Sequence, residues 1–473
     1  MTTPGLVQFV TYPATSPTIL LDVNNPPDGV YTLGDDFTLG APQWETAPNM
    51  VGGDDGYREV EFTLAVDASY ASAASAMSSV SRLLQGREGW LRLRRNPSVP
   101  QMFLHWYRTA PQALDWEHWD IDTYRLRVQL VCDPYLYGEP VTLASFTMNN
   151  RCDSGPNRMY HTYPADTFLG DAPTPLKLTI TPTSGTGWNG YQPLIATTAL
   201  ASGQTQAQPF YIDLVAANWT AGTNVGADVS DTAYLGGSYR LWTATGAAMS
   251  AKLTGTITPT VPGLYKVLLR CGTSTDQTTF NLRLSQTFSG SQVYSGETKT
   301  FVRPDTTITQ YDTWADLGAF NFPFGVYDLD PTDIATVAGT PVSIDAERVT
   351  GSGNLRLDAL LLIPVETAAT IDSVISTWRF HGSGLTTTRS GVWDGQRERF
   401  DAYDSGTTRA NLRSPEPRGG WPRVTPGTVN LLHFMQQTQT DTPLDTTVDD
   451  DDVITDTCSV VTSYMPRYLH LRP

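Results

Sequence analysis

Lysine is nearly missing from this chain. Only Lys177, Lys252, Lys266 and Lys299 occur in 473 residues, all between 177 and 299, so the middle is compositionally set apart from arginine-bearing flanks. Net positive charge is missing too. The formal charge of −17 gives no basis for a nucleic-acid binder that works by neutralising phosphates, which needs clustered cations. Cysteine is scarce and scattered: Cys132, Cys152, Cys271 and Cys458 form no Cys-x-x-Cys pair, which argues against a zinc site or disulfide framework and for isolated thiols. The six histidines (105, 118, 161, 381, 433, 470) never form His-Glu-x-x-His, and no Gly-x-x-x-x-Gly-Lys phosphate loop is present. No cofactor and no metal are therefore expected. Long apolar runs are absent as well. The longest, 359–365, is too short to cross a bilayer, and the N-terminus lacks the basic and apolar segments of a signal peptide, so no membrane insertion and a soluble, cytoplasmically made product are the expectation.

What is present favours strands. At 473 residues, with 40% hydrophobic content, 39 glycines and 33 prolines, the chain suits two to four mainly β domains rather than a helical fold. One helix stands out. From Asp67 the residues Tyr70, Ala73, Ala74, Met77, Val80, Leu83 and Leu84 recur at helical spacing, and Gly86 stands where a C-cap belongs. Strands with period two surround it. Val60, Phe62, Leu64 and Val66 precede it on one face, and Leu91, Leu93, Leu126, Val128 and Leu130 follow, with Arg92, Arg94, Arg125 and Arg127 on the opposite face. Between the arginine strands, His105-Trp106-Tyr107 and Trp116 to Asp120 read as an aromatic loop. It could contact sugar or a subunit, or fold over its own domain.

The Leu83-Leu84, Gly86-x-x-Gly89 run after a lone helix, the strand Trp90-Leu91-x-Leu93-Arg94 and the corner Asp133-Pro134-Tyr135-x-Tyr137-Gly138 together resemble the N-terminal domain of siphophage distal tail proteins. The Gly170-Asp171-Ala172-Pro173-Thr174-Pro175 lead into a strand, and the Pro426-Gly427 turn before Asn430-x-Leu432-x-Phe434, are similar to the galectin-like second domain of that family. Between them, after a linker-like 201–209, the strand from Pro262-Gly263-Leu264-Tyr265 and the late Leu357-Asp358-x-Leu360-x-Leu362-Ile363-Pro364 resemble a jelly-roll carbohydrate-binding module.

The expected architecture is mainly β. An N-terminal ring-forming β-barrel or sandwich with one helix spans 1–138. A galectin-like sandwich is split into 139–200 and 370–473, with Tyr464 to Leu471 as its closing strand, and an inserted jelly roll occupies 201–369. The resemblance implies a non-enzymatic virion component at the distal end of the tail. Six copies would form a ring bound to tail tube protein on one side and to tail-tip, tape-measure or baseplate hub proteins on the other. DNA would pass through without being bound, and peripheral modules would meet host cell-wall glycans. Ring-interface candidates are Arg92, Arg94, Arg125 and Arg127. Glycan-stacking candidates are Trp219, Tyr239, Trp242 and Trp314, with Tyr234 and Tyr294 also in the module, although core packing accounts for such rings equally well.

Two rivals stay open on sequence grounds. A virion-borne glycan hydrolase needs two carboxylates placed by the fold, and the abundance of Asp and Glu makes any chosen pair uninformative. A stand-alone adhesin is the other. The nearest approach to a nucleophile motif, His381-Gly382-Ser383-Gly384, lacks the following helix. The acidic runs Asp328 to Asp333 and Asp449 to Asp452 could offer oxygen ligands to calcium, but read more simply as solvated turns.

Overall fold

A computed structural model describes residues 6–470 apart from connecting segments, the longer of which are 45–55, 110–116, 150–159, 184–191, 200–210, 303–310, 323–338, 368–372, 382–387 and 438–456. Among the described residues it is built from antiparallel strands with a single α-helix, and no sheet closes into a barrel. The chain divides into two compact units. One comprises Met1–Thr142, Phe168–Thr174 and Ser463–Pro473, and the other Leu143–Thr167 and Pro175–Thr462.

In the first unit the strands run in the order Ile19–Asp22, Leu6–Val10, Gly89–Arg94, Met102–Thr109, Thr123–Cys132, Gly56–Asp67, Val30–Thr32. The period-two pattern dictates the pairing of Gly56–Asp67 with Thr123–Cys132, which holds register from Thr123↔Asp67 to Cys132↔Arg58. A one-residue slip would turn Val60, Phe62, Leu64 and their partners Leu126, Val128 and Leu130 out of the core, where all six are now buried. Met102–Thr109 meets Thr123–Cys132 at only three positions near one end. The sheet therefore folds over itself there, bringing Phe9 within 6.0 Å of Phe62 and 6.3 Å of Trp106 between ring centroids.

The helix spans Ala73–Leu84 and buries Ala73, Ala76, Val80 and Leu84, with Met77 and Leu83 half-buried against the same core. It begins six residues later than the apolar spacing suggests. Asp67 is the last residue of its strand, and its carboxylate accepts hydrogen bonds from the backbone N–H and hydroxyl of Ser69 at 2.9 and 2.6 Å, fixing a turn before the helix. Ala74 faces solvent, and Tyr70 and Gly86 lie outside the described residues. His105-Trp106-Tyr107 are not loop but strand. Met102, Leu104 and Trp106 alternate into the core, as aromatic and long aliphatic residues do on a half-buried sheet.

Residues after Tyr464 return to this first unit rather than close the second sandwich. Arg467-Tyr468 pairs with Leu136-Tyr137, and the Gly138 N–H donates to Pro466 O at 2.7 Å. Long-range pairing of this kind, more than 300 residues apart, leaves no local signature.

In the second unit a sandwich is assembled from both flanks. One sheet holds Thr457–Tyr464, Thr174–Pro182, Arg389–Asp394, Arg399–Asp404 and Thr408–Arg409 in that order, and the other Tyr160–Tyr163, Asn430–Gln437, Gln192–Ala199, Ser373–His381 and Arg413–Gly419. Gln192–Ala199 and Ser373–His381 are antiparallel neighbours with Thr198 opposite Ser373. The intervening residues thus leave and return at one strand-pair end, as a hairpin loop enlarged into a module. This geometry lets a fold accept an insertion without disturbing its core.

The module's described strands, from Tyr211 to Thr367, form two sheets of their own. One has the order Val225–Ser230, Ser238–Trp242, Leu355–Thr367, Gly263–Thr273, Tyr311–Phe322, and the other Thr220–Ala221, Ser250–Ile257, Thr340–Thr350, Thr279–Phe288, Gln292–Ser295. Every residue from Leu355 to Ile363 is buried, so this central strand is covered on both faces. Leu431 of the neighbouring sandwich joins the module's apolar cluster. A run of this kind reads as continuous rather than alternating hydrophobicity.

Candidate functional site

The two arginine strands put their cations to mostly internal use. The Arg92 guanidinium donates to Gln8 Oε1, and Gln8 Nε2 donates to Asp22 Oδ2 at 2.6 Å, a polar row across three strands. Arg94 donates through Nε to Val99 O at 3.0 Å and through Nη2 to Pro97 O. Arg127 pairs with Glu61 at 3.0 Å but stays 73% exposed, and Arg125 is half-buried on the same strand opposite Ala65. Among the four, Arg127 thus presents the most surface. A pair this exposed contributes little to stability.

The first unit carries a second surface feature that the arginine pattern does not signal. Among the described residues the strand Ile19–Asp22 ends its sheet, and Ile19 and Leu20, which sit at a register shift opposite Val10 and Phe9, are 48% and 51% exposed. An exposed apolar edge strand offers unpaired backbone groups together with apolar side chains, the combination that favours strand addition by another chain.

The Asp133 to Gly138 corner is a clasp. Asp133 Oδ2 accepts from Tyr137 OH at 2.8 Å and lies 3.1 Å from His105 Nδ1, while His105 rests on the Trp90 ring at 4.8 Å. The Arg467 guanidinium lies 4.7 Å from the centre of Tyr135 and 5.7 Å from that of Tyr137. From the far side Arg58 donates to Pro134 O at 2.8 Å and Leu469 O at 2.7 Å. Burial pulls its guanidinium down to about 10, but the two carbonyls keep the charge solvated. The aromatic-rich corner thus anchors the returning C-terminal segment.

In the module, Trp219 and Trp242 lie in the core. They are 2% and 0% exposed, Trp219 beneath Gly255 and Trp242 packed on Phe280 at 5.8 Å, so neither offers a face to a sugar. Tyr239 is half-buried against Tyr234 at 4.5 Å, with the Arg356 guanidinium 5.7 Å away. Trp314 stands opposite Arg270 in register, but its side chain lies outside the described residues. Tyr294, by contrast, is 48% exposed.

Beneath Tyr234 lies a buried polar cluster. Arg270 and Asp358 pair at 3.0 Å with both side chains 1% exposed, and Arg356 donates to Tyr234 OH at 2.8 Å and Thr273 O at 2.7 Å. Its only signal was two charges inside an otherwise apolar strand, Leu355 to Ile363. Among the described residues no three His, Cys, Asp or Glu side chains converge as metal ligands; both acidic runs and His381-Gly382-Ser383-Gly384 beyond His381's backbone lie outside them. No described helix is long and apolar enough to cross a membrane.

No family model and no curated protein matches the sequence. Solved structures with some similarity include a Podospora anserina GH26-CBM35 β-(1,4)-mannanase, at 17% identity and a TM-score of 0.19 over 38% of this chain and 29% of that one. They also include the phage P2 baseplate in its activated conformation with calcium, at 10% identity and a TM-score of 0.20 over 77% of this chain and 99% of that one. The strontium form matches at 10% identity and 0.20 over 74% and 97%. Less than a third of the mannanase chain is spanned.

Proposed function

We propose that the chain is a non-enzymatic structural component of a long-tailed phage virion, placed at the distal end of the tail, where six copies form a ring between tail tube protein and tail-tip or baseplate proteins. The observation that carries this reading is the edge strand Ile19–Asp22. Among the described residues this strand pairs only with Leu6–Val10, and its Ile19 and Leu20 are half exposed. Head-to-tail contact through it is heterologous, and a heterologous contact closes into a ring when the rotation between copies allows.

The rest of the chain fits this role. The Arg127–Glu61 pair supplies charge of both signs beside the packed sheet, which suits register selection more than affinity. The charge of −17 suits a passage through which DNA slides without sticking. The inserted module, carried on one strand pair, meets host-surface glycans, and six weak contacts act together through effective concentration. The test is Leu20→Glu with Ile19→Lys, examined by mass photometry with and without tail tube protein. Loss of assembly with retained folding supports the reading, and unchanged assembly removes the edge strand from it.

A further inference from the structure

Among the module's described residues one anchored aromatic ring is exposed, at the lateral edge where its two sheets meet. Tyr294 sits on the edge strand Gln292–Ser295 and leans edge-on against the buried Phe320, with centroids 6.1 Å apart and planes at 75°. Gly296 follows, its N–H donating to Leu284 O at 2.9 Å. A Cβ there would stand 2.5 Å from Phe320 Cζ, so the backbone can lie this close only with glycine. The ring is thus held by its neighbours while 48% exposed, and a ligand that stacks on it need not immobilise it.

The charged residues that follow Tyr294 in the chain, and the pair they lie near, bear on the choice of ligand. Lys299 Nζ lies 2.6 Å from Glu297 Oε2, and Lys266 Nζ lies 2.8 Å from Asp316 Oδ2. Glu297 also feels the Asp316 carboxylate, which puts the two pairs in one neighbourhood. In a chain with four lysines and a charge of −17, two lysines stand here, each matched by an acid, so the edge is close to neutral. A polyanion or polycation finds no net attraction in such a place, whereas a neutral, hydroxyl-rich ligand finds donors and acceptors beside an apolar ring face. A peptide adding as a strand is disfavoured because the edge strand is followed directly by the charged Glu297 and Lys299.

We propose that this edge is a binding site for a neutral oligosaccharide, with Tyr294 as the stacking platform and Glu297 and Lys299 as hydroxyl partners. The proposal rests on the reading that the module meets host glycans, and it moves the site from the buried Trp219 and Trp242 to a ring that is accessible.

The test uses the full chain with a panel of neutral tetrasaccharides (β-1,4-linked glucose, mannose, xylose and N-acetylglucosamine, and α-1,4-linked glucose), read by saturation-transfer NMR and calorimetry. At least one should bind, with transfer strongest to the C–H protons of one sugar face. Tyr294→Ala should weaken it about tenfold, the scale of one aromatic contact, and Tyr294→Phe by less than about threefold. Glu297→Gln, which leaves the packing intact, should weaken it about threefold or more and keeps the site testable if Tyr294→Ala fails to fold. Binding that survives both Tyr294→Ala and Glu297→Gln overturns this site while leaving a glycan-binding module in place. Absence of binding across the panel overturns the site and the glycan reading together.

Discussion

Removing the Asp358 carboxylate while keeping Arg270 should be among the most damaging single changes in the module. The two side chains are 1% exposed and 3.0 Å apart, and Arg270 also lies 5.5 Å from the Tyr234 ring. At an effective dielectric constant of 20 their attraction is about 5 kcal/mol, offset by several kcal/mol of lost hydration for each ion. The pair therefore contributes little net stability, yet Asp358→Ala strands a buried cation and should cost about 3–5 kcal/mol. For a module of this size that is a fall in Tm of roughly 6–20 °C. Arg270→Met combined with Asp358→Leu removes both charges at similar volume and should recover most of the loss. The assay is thermal and urea unfolding, with hydrogen exchange of the 355–363 amides reporting the module itself. If the double variant is as damaged as Asp358→Ala, the stranded-charge argument fails. If Asp358→Ala costs less than about 1 kcal/mol, the pair is not the buried unit described.

Three further outcomes follow from single sites. His161 stacks on Phe146 at 3.7 Å, and burial pulls its pKa down to about 4. Because the folded value lies below the unfolded value of about 6.5, its contribution to stability is whole above about 6.5 and is lost as the pH falls from there to about 4; an NMR titration midpoint near 6.5 would refute this. Arg467→Ala should release the C-terminal segment at a cost of about 2–4 kcal/mol and expose it to carboxypeptidase, with Arg467→Lys restoring only part because an ammonium cannot present a planar face to Tyr135; unchanged digestion would count against the clasp. Gly255→Ala should cost about 1–3 kcal/mol, because the added Cβ would lie 2.6 Å from the Trp219 ring, and a neutral result in urea unfolding would mean that ring can move aside.

Local patterns were legible and returns from afar were not. The alternation through Val60 to Val66 and Leu126 to Leu130 showed the strands and their buried faces, whereas their pairing and register came only with the structure, where burial of one face penalises any slip. The helix was legible from Ala73 onward, but its start was hidden by Asp67, which satisfies a turn instead of a helix. Tyr135 and Tyr137 looked like a corner, yet nothing nearby announced that Arg467 would fill it. The rings were the hardest to read. Trp219, Trp242 and Tyr294 are alike in composition terms, and only the sheet's sidedness separates two core rings from an accessible one. The arginines of Gly89–Arg94 and Thr123–Cys132 were placed on the correct face, but whether a guanidinium binds its own chain depends on neighbours such as Gln8 and Glu61.

The central claim is self-assembly through the first unit, and the measurement that addresses it most directly is the mass and symmetry of the intact chain by mass photometry and negative-stain imaging, alone and mixed with tail tube protein. The account predicts a closed sixfold ring under at least one of these conditions, abolished by charges at Ile19 and Leu20. A monomer that persists in both, at concentrations well above those of assembly in a cell, would contradict it.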